Sequence, residues 1–221
     1  MTSHTVKAFD SELETIRAVI AEMGEKARQM LSDAASALMN LDVGLAKSVA
    51  AADAHINSLQ RSVADKAIHT IAKRQPVADD LREIMGVVRI ATDLERIGDL
   101  AKNIAKRTTK IALTQNIQSC LVSLKAMHDR AADQLKDALE AYARRDVALA
   151  RTIWERDQKL DALEDLAYRN LLTFMMEDPA NIPFCVELLF CAKNLERIGD
   201  RTKNIAETVV YVVTGEPEVY D

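Results

Sequence analysis

The chain has 221 residues, a formal charge of −5, 4% aromatic residues, six glycines and four prolines. Its wealth of Ala, Leu, Ile, Glu, Lys and Arg points to an all-α protein. A mildly acidic chain with no basic cluster argues against nucleic acid as a partner, because that binding rests on Lys and Arg neutralising phosphates.

The opening MTSHTVKAFDSELETI lacks the apolar run of a secretory signal. Ser11 and Glu14 form a capping-box pattern, S-x-x-E, which predicts that a first helix starts there and runs to about Asn40. Asp42 is a good N-cap for a second helix over about 43–74. Pro76 interrupts, and a third helix is expected over about 78–111. Helices four to six are placed at about 117–144, 147–177 and 182–213. Asp146 and Pro183 approximate the parts of Asp42 and Pro76, since proline suits a helix's first turn. Met23, Met30, Met175, Met176 and Trp154 sit at helical spacing and read as core filling. The apolar stretch VELLFCA (186–192) is far too short to cross a bilayer. Cys120, Cys185 and Cys191 are at no ligand spacing and read as buried thiols in a reducing cytoplasm.

The chain is a duplication. LERIGDLAKNIA (94–105) and LERIGDRTKNIA (195–206) agree at ten of twelve positions, 101 residues apart. Upstream, LSDAASALMNLDVGLAKSVAAADAHINSL (31–59) aligns with LKDALEAYARRDVALARTIWERDQKLDAL (135–163) at an offset of 104. The three-residue difference falls in KRQPVADD (73–80) against MMEDPANIP (175–183), where Pro and Asp mark a turn. Short connections make successive helices antiparallel neighbours. The expected architecture is two tandem pseudo-symmetric three-helix bundles, 8–113 and 114–215, with a frayed tail at 216–221.

At 100° per residue, Ile90, Leu94, Ile97, Ala101 and Ile104 share one apolar face. Glu95, Asp99 and Asn103 form a row on nearly the opposite side, as do Glu196, Asp200 and Asn204. The preceding helix carries Asp157, Asp161 and Glu164 in the second half, matched by Asp53, Asn57 and Gln60 in the first. Carboxylates at i and i+4 have Cβ atoms about 5–6 Å apart. Rows on adjacent helices turned into one groove would gather three or four oxygens, a set suited to Mg²⁺, Ca²⁺, Mn²⁺ or iron. The alternative is a solvated face of ion pairs among Glu95, Arg96, Asp99, Lys102 and Lys106. Gly98 and Gly199 remove a side chain at the same place twice, at about 1 kcal/mol each relative to Ala. Another helix, or an ion with its waters, is expected to come close there. No phosphate-binding loop, dinucleotide fingerprint or H-E-x-x-H is present, and none of the four histidines stands three after a Glu of a repeated row.

The repeated Glu95-Arg96-Ile97-Gly98-Asp99 and Glu196-Arg197-Ile198-Gly199-Asp200, with ELETIR (12–17), AKRQPVADDLR (72–82) and LLTFMMEDPANIP (171–183), resemble the PhoU family of accessory regulators of phosphate-specific transport systems. The resemblance spans about residues 8 to 215. It implies a cytoplasmic, dimeric protein without catalytic activity that represses the phosphate-starvation response and restrains phosphate uptake. It further implies two partners, the ATPase subunit of the phosphate ABC transporter and the phosphate sensor histidine kinase, so that membrane contact is indirect. It also implies metal clusters on the motifs. Their ligands would be Glu95, Asp99, Glu196 and Asp200, with Asp53, Asp157 and Asp161 from the preceding helices. The cations would be divalent or iron, with Mg, Mn, Fe and Zn undistinguished. Asn57 departs from the all-acid pattern, and its amide would weaken the first cluster. Two other readings are a carboxylate-bridged metalloenzyme and a metal-free helical scaffold.

Overall fold

The computed structural model describes residues 2–111 and 118–216. They form six long helices: α1 (Thr2–Asn40), α2 (Val43–Arg74), α3 (Ala78–Ile111), α4 (Gln118–Arg144), α5 (Val147–Glu177) and α6 (Ile182–Thr214). A 3₁₀ turn, Pro179–Asn181, joins α5 to α6. The proposed tail beyond Glu216 lies outside the described residues.

The duplication is visible in the corners. Asp42 accepts the Leu45 N–H at 2.9 Å, and Asp146 accepts the Leu149 N–H at 2.9 Å. Each cap also closes the preceding helix, with the Asp42 N–H on the Ala37 carbonyl and the Asp146 N–H on the Ala141 carbonyl, both at 2.9 Å. This six-to-one bond requires the intervening residue to be left-handed. Leu41 (φ 54°) and Arg145 (φ 55°) take that conformation without being glycine. The cost, about 1–2 kcal/mol per residue, is offset because each corner satisfies orphan groups of two helices at once.

The first helix differs from its expected start. Ser11 is not a cap; α1 continues back to Thr2, and the Ser11 carbonyl accepts the Thr15 hydroxyl at 2.9 Å inside the helix. Tertiary packing overrides the local signal. Phe9 and Leu13 extend the stripe that carries Ile16 and Ile20, and they pack against Ala67 and Ile84 of α2 and α3. Glu12 reinforces this, held by Arg74 (2.8 Å) and Lys73 (3.1 Å) at the end of α2. Met176 also departs from expectation: it is 85% exposed, in the last turn of α5, while its neighbour Met175 packs on the core. Met23, Met30 and the three free cysteines are buried as expected.

Each half is an antiparallel three-helix bundle, and α3 and α6 pack on each other as the spine between them. Helices α1 and α4 also meet, so one continuous core draws on all six helices. Gly86 admits α6 at one end of the spine, where a Cβ would collide with Val212. Nearby, Glu83 is nearly buried between two arginines. Arg17 Nε donates to it at 2.9 Å and Arg145 Nη1 at 2.8 Å, tying α1 and the end of α4 to α3. Burial pushes the Glu83 carboxyl up, but the two guanidiniums outweigh it and hold its pKa below the ordinary range.

Candidate functional site: the repeated motif rows

The first row is built by the approach of α2 to α3. Gly98 is buried, and a Cβ placed on it would stand 3.1 Å from two atoms of Ile56 and 3.5 Å from the Met30 sulfur. Another helix therefore comes close to this glycine, one of the two causes the sequence allows. The approach carries Asp53 and Asn57, on either side of Ile56, up to Asp99. Lys102 Nζ lies between the two acids, 2.9 Å from Asp53 Oδ2 and 2.6 Å from Asp99 Oδ1. Asn57 Nδ2 donates to Asp53 Oδ2 at 3.1 Å, and Asn103 Nδ2 to Asp99 Oδ2 at 3.4 Å. Burial works against the ammonium, but the bonds to Asp99 and Asp53 hold the Lys102 pKa above the ordinary lysine range. Glu95 faces Arg96 at 3.6 Å.

The row is not opposite the core. Asp53 is buried, with 12% of its side chain exposed, and Glu95, Asp99 and Asn103 are half-buried. The reason is that α3 has neighbours on three sides, α1, α2 and α6. The border of its buried arc therefore reaches the polar row.

In the second half a lysine at another position of the motif helix bridges two acids. Lys193 Nζ lies 3.0 Å from Glu196 and 3.5 Å from Glu164 of α5. Its pKa is raised, chiefly by the hydrogen bond to Glu196. Asp161 and Asp200 are exposed. The Asp157 side chain lies outside the described residues. Lys203, which matches Lys102, lies over the Trp154 ring at 5.6 Å. Among the described residues no group of three or more His, Cys, Asp or Glu side chains is placed to hold one metal ion.

The spine holds a polar contact that the sequence reading missed. Asp93 of α3 is nearly buried, and Arg201 and Asn204 of the second motif hydrogen-bond to it, the former at 3.4 Å. Burial raises the Asp93 pKa despite these partners. Asn204, which the sequence places in the Glu196 row, therefore reaches across to the other bundle. The one available signal was Asp93 itself, one residue before the repeated block, where Asn194 stands in the second copy.

The donor chemistry of the first row suits a hard cation. Asp53 Oδ1 and Asn57 Oδ1 are buried and accept no hydrogen bond among the described residues, and the neighbouring Asp99 adds a second charge. A positive group, the Lys102 ammonium, already lies there.

A model of the PhoU domain matches this chain twice, over residues 20–108 and 124–209, each match covering one bundle with its motif row. The chain belongs to the PhoU family. It is 49% identical over 213 residues to the phosphate-specific transport system accessory protein PhoU homolog of Rhizobium meliloti, covering 96% of this chain and 90% of that one. It is 40% identical over 216 residues to the phosphate-specific transport system accessory protein PhoU of Escherichia coli, covering 98% and 89%. The crystal structure of PhoU from Pseudomonas aeruginosa superposes with a TM-score of 0.91 at 36% identity, over 94% of this chain and all of that one. That of the phosphate transport system regulatory protein PhoU from Streptococcus pneumoniae gives 0.88 at 27% identity, over 96% and 100%. The two pseudo-symmetric bundles are thus the PhoU arrangement. Among the described residues no helix is long and apolar enough to cross a membrane.

Proposed function

We propose that this chain is a non-enzymatic, cytoplasmic, dimeric negative regulator of the phosphate-starvation response that also restrains phosphate uptake. It does so by linking the ATPase subunit of a phosphate ABC transporter to a sensor histidine kinase. The observation that carries the reading is the match of nearly the whole chain, both motif rows included, to proteins named as accessory to phosphate-specific transport. Regulated docking is the mechanism: the two rows present acidic edges whose charge state sets how a partner is held. For the docking to transmit a signal, the partner must bind two states of the chain differently.

The first row would hold a cation through Asp53, Asn57, Glu95 and Asp99, after Lys102 swings out. The second would draw on Glu196 with Asp200 and the α5 acids Asp157 and Asp161. A bound cation would supply positive charge that neutralises and stiffens each edge. Without it, Lys102 and Lys193 do part of that work by bridging carboxylates.

The test is the double variant Glu196→Ala with Asp200→Ala, in cells grown at high phosphate. Phosphate-starvation genes are expected to be derepressed while circular dichroism of the purified variant stays that of the wild type. Full repression by a folded double variant would remove the motif from the mechanism.

A further inference from the structure

We propose that the outer groove between α5 and α6 is a docking site for a basic amphipathic helix of a partner protein. The proposal rests on the reading of the chain as a docking regulator and locates one of the surfaces involved.

The groove has a volume of about 560 Å³. Tyr168 of α5 and Val186 and Phe190 of α6 line it and are 52%, 37% and 50% exposed. Phe190 is held from behind. The Arg107 guanidinium of α3 lies over its ring at 4.1 Å, and Glu187 fixes Arg107 at 2.5 Å while also taking Lys110 at 3.0 Å. One ring face is thus stacked on a braced cation and the ring is half open to water. A pre-oriented aromatic loses little freedom on binding, which is what makes such residues anchors in interfaces.

The first half shows that the duplicated frame does not require the two rings of this surface. At an offset of 101, Phe190 corresponds to Arg89, which folds over Tyr211 of α6 at 5.5 Å. At an offset of 104, Tyr168 corresponds to Ala64 and Met176 to Ala72. At these three positions the second half carries large apolar groups where its twin carries a folded-back arginine and two alanines, while Val186 corresponds to Met85, which is 43% exposed. Burial in a core does not explain them, since Met176 and Tyr168 are more than half exposed.

Charge selects the occupant. Glu164 and Asp165 form the α5 edge of the groove, with Asp161 one turn before them and Glu196 beside them on α6. Lys193 is already shared between Glu164 and Glu196, and Arg169 reaches Asp165 only at 3.9 Å, with both side chains at least three-quarters exposed. An apolar trough with a net acidic edge fits a helix with large apolar residues at i, i+3 or i+4 and Lys or Arg flanking them.

The test titrates the purified full chain with a fluorescein-labelled helix made only of Leu and Lys, and with its Leu and Glu counterpart, by anisotropy. The Leu/Lys helix is expected to bind and the Leu/Glu helix to fail. Tyr168→Ser and Phe190→Ser are each expected to weaken binding by about tenfold or more, and Met85→Ser, at the matching place in the first half, to leave it unchanged. Tyr168→Ser keeps the test decisive should loss of the Phe190 ring disturb Arg107. No binding of the Leu/Lys helix, equal binding of the two helices, or wild-type affinity in both variants overturns the proposal. So does a dimer in sedimentation that Tyr168→Ser splits, since the groove would then seat a second copy of the chain. Failure here leaves the repression assay of the motif variants unaffected, so the two readings fall separately.

Discussion

Gly98 and Ile56 meet so closely that a methyl group on the glycine would stand 3.1 Å from two carbons of the isoleucine. This contact sets how near α2 comes to α3, and through it the separation of Asp53 from Asp99. Gly98→Leu is expected to destabilise the chain by about 1–3 kcal/mol, the usual range for overpacking. Adding Ile56→Ala to it should recover part of the loss. Denaturant unfolding of the two single variants and the double measures this, and strictly additive effects would show that the two side chains do not compete for one space.

Lys102 separates a cation-binding row from one that supplies its own charge. It lies within 2.9 Å of both Asp53 and Asp99. Lys102→Met leaves these acids without a positive neighbour, so its melting temperature in chelator should fall below that of the wild type. Adding Mn²⁺ should then raise the variant's melting temperature more than the wild type's. Equal responses to Mn²⁺ in the two proteins would count against a cation on Asp53 and Asp99.

Glu12 gives a pH signature. The Arg74 hydrogen bond, helped by Lys73, draws its pKa down from 4.5 to about 2 against the opposing effect of burial. The folded value is the lower one, so this carboxylate stabilises the fold above pH 4.5 and loses that contribution as pH falls from there toward 2. The melting difference between wild type and Glu12→Gln should therefore be level from pH 7 to about 5 and shrink below it. A difference that grows on acidification would show that Glu12 is not held by Arg74 and Lys73.

Much of the frame was legible in the chain, for identifiable reasons. Asp42 and Asp146 are local signals, since a short acceptor side chain bonds a backbone N–H three residues on, and both corners stand where these residues mark them. The indel between the repeats falls at the Pro76 and Pro179 corners because only there can length change without shifting a buried face. Ser11 misled because a capping pattern is equally local, while the continuation of α1 depends on Ala67 and Ile84, far away in sequence. Periodicity told which side of α3 is apolar, but not that three neighbours would carry its buried border as far as Asp99. It could not foresee Asp93 meeting Asn204, a contact made only when the two halves come together.

The unbroken core across all six helices bears on the history of the chain. Each repeat has a face on α3 or α6 that only the other repeat covers. A solitary ancestor of about a hundred residues would have had to self-associate to hide that face, and its folding would have depended on how much of it the cell made. Joining two copies head to tail made the encounter intramolecular, at an effective concentration of order millimolar for a short tether. Once tethered, the copies were free to drift apart in sequence, and an aromatic ring on one flank could be answered by an arginine on the other without disturbing the shared interior.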